Sequence, residues 1–112
     1  MEQRGGEDQV IASSSPKPPA HLSEAQRATW IACWPRIIGR MTAARLDAFE
    51  AYCIERERWM TAEASVREHG TVLTLRNDKG EVQKIIANPA LGIAQKSMGA
   101  MLRLAKALRL KG

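Results

Sequence analysis

The sequence predicts a mainly α protomer with a long central helix, one β-hairpin and a C-terminal basic helix. Three observations predict it. Apolar positions are filled chiefly by Ala, Leu, Ile and Met, while Phe and Tyr occur once each, a bias toward helix over sheet. Thr42 is a capping residue and Gly70 a stop signal; the run between them is roughly 27 residues, or about 40 Å at the helical rise. Between Gly70 and Asn88 the composition turns β-branched around a single turn cluster.

Each element follows in order. Residues 1–20 contain Gly5, Gly6, Ser13 to Ser15, Pro16, Pro18 and Pro19. Such a stretch buries too little to offset its ordering entropy and is expected to be a disordered arm. Residues 21–112 then form one small domain. Ser23 and Gln26 have capping-box spacing, so a helix carrying Ala25, Trp30, Ile31 and Trp34 starts here. Pro35 lacks an amide hydrogen and ends or kinks it, and Gly39 completes the stop. On the long helix, Leu46, Phe49, Cys53 and Met60 lie near one stripe, while Tyr52, Trp59 and Val66 recur on a second. Two apolar stripes require either packing by the remaining helices or a neighbouring subunit.

Thr71–Arg76 and Glu81–Ile86 flank Asn77-Asp78-Lys79-Gly80, which predicts a hairpin over about residues 71–87. Two strands alone are marginal, so the hairpin must lean on the helices or on another chain. Asn88 caps the last helix and Pro89 takes its first position. Leu91, Ala94, Met98, Met101, Leu102, Ala105 and Leu108 form its apolar stripe, and Lys96, Arg103, Lys106 and Arg109 fall largely off it.

Charge is distributed unevenly. The total is +5, and residues 89–112 carry five basic and no acidic groups, so this last segment equals the whole excess. Residues 42–70 carry six acidic and four basic groups. A one-signed C-terminal segment marks an anion-binding surface, for nucleic acid or an acidic protein, against the plainer alternative of a solvated helix face.

The residues argue against an enzyme. His21 and His69 are far apart, and neither has a metal-ligand spacing, nor do Cys33 and Cys53, which fit buried free thiols in a reducing compartment. Glu55 and Glu57 face different sides of a helix, and the interleaved Arg45, Arg56, Arg58 and Arg67 point to intrahelical pairs, with Glu63 and Arg67 in the favourable order. No phosphate-cradling glycine loop is present. No metal and no cofactor is expected. No apolar run approaches a membrane span, and no membrane partner is expected. A helix-turn-helix regulator is disfavoured, because the helix after Gly39 is long and net acidic.

Pro18-Pro19, Leu22-Ser23, Ala25 and Trp30, followed by Leu46-Asp47, Tyr52-Cys53, Trp59, Ala62, Val66 and Gly70, and then Asn88-Pro89-Ala90-Leu91, occur in one order. Together with Leu102, Ala105 and Leu108 this succession resembles the small terminase subunits of tailed bacteriophages and prophages, over about residues 16–110. The resemblance implies a DNA-packaging role in the host cell cytoplasm, as a homo-oligomeric ring. The implied partners are double-stranded viral DNA, the terminase large subunit with its ATPase and nuclease activities, and other copies of the chain itself. Members often continue past the last helix into a tail that docks the large subunit; this sequence stops at Leu110-Lys111-Gly112, so docking is expected on another surface. The alternative reading is a helical adaptor docking an acidic protein without nucleic acid.

The expected DNA-binding residues are Lys96, Arg103, Lys106, Arg109 and Lys111, with Arg27, Arg36 and Arg40 second. The expected oligomer interface is Tyr52, Trp59, Val66, Leu73, Leu75 and Ile85.

Overall fold

In the computed structural model, residues 17–111 are described. The expected arm, residues 1–20, therefore lies largely outside the described residues. Pro18 and Pro19 are half-buried, and the Leu22 N–H donates to the Pro19 carbonyl at 3.2 Å. Proline needs little ordering entropy, so a short turn can form here just ahead of the first helix.

The chain then forms α1 (Glu24–Cys33), a 3-10 turn (Trp34–Arg36), α2 (Ala43–His69), strands β1 (Val72–Arg76) and β2 (Val82–Ala87), and α3 (Pro89–Leu108). The Ser23 hydroxyl accepts the Gln26 N–H at 3.1 Å, and the Gln26 side chain accepts the Ser23 N–H at 2.9 Å, completing the capping box. The same two side chains donate to Glu57 of α2 at 3.0 and 2.6 Å. The box that starts α1 thus also fastens it to α2.

The helix gives way to the 3-10 turn at Trp34, where Pro35 removes a donor. At Gly70 φ is +83° and ψ is −178°, so the stop has the positive φ expected of glycine, with an extended ψ in place of a left-handed helical one.

The buried core lies at one end of a rod measuring 73 × 25 × 20 Å. Leu22, Trp30, Cys33, Trp34, Ile37, Phe49, Cys53 and Leu108 build it, so α1, the 3-10 turn, the first half of α2 and the last turn of α3 converge there. Phe49 sits between Trp30 and Trp34, with ring centroids 4.8 and 5.7 Å away. Only one Phe and three Trp are available to the whole chain, and this cluster uses three of the four. Further along the rod α2 and α3 pack antiparallel, with Ala62, Ala94, Ser97 and Met101 buried between them.

Two stripe residues are not core. Met60 is 44% exposed, because α1 covers only the first half of α2 and the stripe shared with Phe49 and Cys53 runs on past it. Leu102 is 64% exposed, because it stands roughly 100° around the helix from its neighbour Met101, which takes the α2 seam. The second stripe of α2 is half-buried at Tyr52, Trp59 and Val66. Trp59 lines an open groove with Leu91, Ala94 and Met98, so α3 covers this stripe only in part.

The hairpin is antiparallel, pairing Val72 with Ala87, Leu73 with Ile86, Thr74 with Ile85 and Leu75 with Lys84, with an irregularity between Leu75 and Arg76. The Asn77 side chain closes the turn by accepting the Lys79 and Glu81 N–H groups at 2.9 and 3.0 Å. The strands expose apolar side chains to solvent: Val72, Leu75, Val82 and Ile85 are all at least 42% exposed. Among the described residues the hairpin touches the helical body little, and of its paired apolar side chains only Leu73 and Ile86 are half-buried. Its root is held by Asn88, whose N–H donates to the Thr71 carbonyl at 2.8 Å and whose side chain joins the Gly70 carbonyl and the Ala90 N–H, both at 2.9 Å.

Intrahelical pairing on α2 is sparser than expected. Arg58 bonds Glu55 at 2.9 Å, but Glu63 and Arg67 do not pair. Arg56 reaches Thr29 of α1 at 3.3 Å, and Glu57 is committed to the capping box, so tertiary partners outcompete weak exposed pairs.

Candidate nucleic-acid interface

The eight basic residues singled out from the sequence separate into three groups. At the core end of the rod the chain bends through Ile37 to Arg40 before α2 starts, and the last residues of α3 return to the same place. Two contacts bring these strands of chain together. The Lys111 N–H donates to the Arg36 carbonyl at 2.9 Å. Arg45, in the first turn of α2, donates to three carbonyls: Arg40 at 2.6 Å, Ile38 at 2.8 Å and Leu108 at 2.6 Å.

Gly39 has φ +97°, a conformation suited to glycine, and a β-carbon there would lie 3.4 Å from the Arg45 guanidinium and 3.7 Å from that of Arg109. Arg36, Arg40, Arg45, Arg109 and Lys111 therefore share one corner, with Lys106 in the last turn of α3 beside it. Arg36, Arg40, Lys106, Arg109 and Lys111 are exposed. The local backbone follows from these contacts: Arg109 adopts φ +56° and ψ +46°, a left-handed cap that lets the Leu110 N–H bond the Ala105 carbonyl at 3.1 Å.

Lys96 and Arg103 form a second group. They lie on the outer face of α3 and line a groove of about 550 Å³ with Glu55 and Arg58 of α2, so a carboxylate and its partner stand among these cations. Arg27 forms the third. It is half-buried and donates to the Leu22 carbonyl, which engages it in holding the start of α1. Lys96, Arg103, Lys106 and Lys111 make no side-chain hydrogen bond or ion pair among the described residues. Surface cations of this kind neutralise phosphates and release counterions, whereas cations already bonded to carbonyls have less to offer.

Arg45 was not among the residues expected at the interface; the sequence assigned it to intrahelical pairing. One signal was available. A cation in the first turn of a helix opposes the helix dipole, and the first turn of α2 contains no acidic residue to offset it. Its charge goes instead to backbone carbonyls, including that of Leu108 at the negative end of α3.

Cys33 and Cys53 are buried free thiols. Burial, with smaller contributions from Cys33 and Glu50, pushes the Cys53 thiol up to about 12, and burial likewise raises Tyr52. His21 is exposed and meets Glu50 at 2.7 Å. Among the described residues, no three His, Cys, Asp or Glu side chains are grouped so as to hold a metal ion, and no helix is long and apolar enough to cross a membrane.

The six expected interface residues are placed differently from one another. Tyr52, Trp59, Val66 and Leu73 are half-buried, while Leu75 and Ile85 are open at 42% and 64%.

Neither the curated proteins nor the solved structures provide a match to the chain. The family model described as phage terminase, small subunit, matches residues 27–111, which takes in α1 from its second turn, the whole of α2, the hairpin and α3. With a match over most of its length, the chain belongs to the phage terminase small-subunit family.

Proposed function

We propose that the chain is the DNA-recognising subunit of a packaging terminase. It assembles into a ring, binds double-stranded viral DNA and recruits the large ATPase/nuclease subunit in the host cytoplasm, without catalysing a reaction itself. The family match over residues 27–111 carries the reading. The convergence of Arg36, Arg40, Arg109 and Lys111 at one end of the rod supports the DNA part, because a polyanion is best held by cations from several segments on one rigid corner. Exposed Leu75 and Ile85, with the half-buried Tyr52, Trp59, Val66 and Leu73, are the surfaces proposed for assembly.

Two measurements test it. Light scattering at micromolar concentration should return a mass of several copies; a strict monomer would sink the ring. Binding to duplex DNA, followed across salt concentration, should weaken steeply, by about 0.9 in the log–log slope for each phosphate neutralised. No binding even at low salt would favour the adaptor reading, in which the basic corner docks an acidic protein.

A further inference from the structure

The groove that takes in Lys96 and Arg103 has a polar floor beneath its charged walls. Ser97 lines it while only 3% exposed, and its hydroxyl makes no hydrogen bond among the described residues. A hydroxyl inside a helix can turn back on the carbonyl one turn earlier, as Thr29 does on Ala25 at 3.2 Å. Ser97 instead keeps a donor at the bottom of an open groove, where a slender ligand can satisfy it.

The walls carry an excess of positive charge. Arg58 and Glu55 hold each other at 2.9 Å, which leaves Lys96 and Arg103 uncompensated. The Arg103 guanidinium leans back along α3, with a nitrogen 3.6 Å from where a β-carbon on Gly99 would stand. Its charge therefore lies only about 5 Å along the helix axis from the level of Lys96. Gly99 and Ala100 leave the space between the two cations open. Ile93, 47% exposed, adds an apolar wall one turn before Lys96.

The dimensions select the ligand. From Ile93 to Arg103 the groove follows α3 for about 15 Å, the length of about four or five residues of extended chain. Alternate side chains of such a chain stand about 6.6 Å apart on one face, comparable to the spacing of the two cations. A duplex is too broad to reach the floor, and at the rim its phosphates also meet Glu55. We propose that the groove docks an extended acidic segment of a protein partner. Carboxylates at alternate positions take Lys96 and Arg103, a main-chain carbonyl accepts the Ser97 hydroxyl, and an apolar residue lies on Ile93. This surface is separate from the basic corner proposed for DNA, and the proposal does not depend on that reading.

A peptide of sequence Leu-Ala-Glu-Ala-Glu, labelled at its N-terminus and amidated, tests the seat by fluorescence anisotropy at low salt. The full chain should bind it. The isomer Leu-Ala-Ala-Glu-Glu, whose carboxylates point to opposite faces, should bind about tenfold more weakly for the loss of one charged contact. The double variant Lys96→Gln/Arg103→Gln should lose at least about tenfold in affinity for the first peptide. Ser97→Ala should lose about three- to tenfold, with duplex DNA binding untouched. Two exposed positions and a smaller side chain at Ser97 should leave helical circular dichroism as it is in the parent. Equal affinity for the two isomers, or full affinity in Ser97→Ala, would overturn the proposal. So would a duplex weakened by Ser97→Ala as much as the peptide is, since the groove would then serve nucleic acid. Absence of peptide binding at millimolar concentration counts equally against the seat, whatever the chain does with DNA.

Discussion

The Arg45 guanidinium donates to the Leu108 carbonyl at 2.6 Å, joining the first turn of α2 to the last turn of α3. The same side chain holds Ile38 and Arg40 through their carbonyls, so one cation sets the geometry of the whole basic corner. Hydrogen bonds from a charged donor are worth about 1.5–3 kcal/mol, and only the guanidinium fork reaches three acceptors at once. Arg45→Gln should cost about 2–3 kcal/mol in urea unfolding, and Arg45→Lys should recover less than half of that. Amide exchange at Leu110 and Lys111 should accelerate in both.

The basic groups should contribute unequally to DNA affinity. Arg36, Arg109 and Lys111 stand together, whereas Lys96 and Arg103 share their groove with Glu55. Replacing the first three by Gln should lower the salt slope by about 2–3, and replacing the second pair by less than about 1. Fluorescence anisotropy with a short duplex reads both. Equal slopes for the two variants would dissolve the distinction between corner and groove.

Arg109 offers a separation of stability from binding. A left-handed conformation costs a side-chain-bearing residue about 1 kcal/mol relative to glycine. Arg109→Gly should therefore raise the unfolding free energy by about 0.5–1 kcal/mol while weakening DNA binding. A variant both less stable and unimpaired in binding would contradict the assignment.

Core position, not stripe membership, should govern the cost of truncation. Phe49 is fully buried among Trp30 and Trp34, so Phe49→Ala should cost about 3–5 kcal/mol. Met60→Ala, on the same stripe but exposed, should cost less than about 1 kcal/mol. Thermal or urea unfolding distinguishes them.

Alkaline pH should destabilise the fold. The Cys53 thiol ionises near its ordinary 9.0 when unfolded but only at about 12 when folded, and Tyr52 is shifted upward too. The folded state thus binds more protons across that window, and stability falls as pH rises from about 9 toward 12. Cys53→Ala should flatten the decline in unfolding free energy between pH 8 and 10.5, and the parent thiols should resist thiol reagents until the protein unfolds.

Local chemistry in the sequence accounts for every element and nearly every boundary. Ser23 with Gln26, Thr42, Gly70, Asn88 with Pro89, and the Asn77–Gly80 turn act within a few residues of themselves, so their consequences are legible without knowing the fold. The exposure of Lys96, Arg103 and Lys106 follows the same way, from helical periodicity alone. Contacts between elements are another matter. Where α1 starts, beside Glu57, determines that Met60 is exposed although Phe49, on the same stripe, is not. The return of α3 to the bend at Gly39 gathers Arg36, Arg40, Arg109 and Lys111 from opposite ends of the domain, and makes Arg45 a clamp instead of an intrahelical partner. Periodicity tells which way a side chain faces on its own helix, but meeting another element depends on lengths and crossings summed over the whole chain, and that sum exists only in three dimensions.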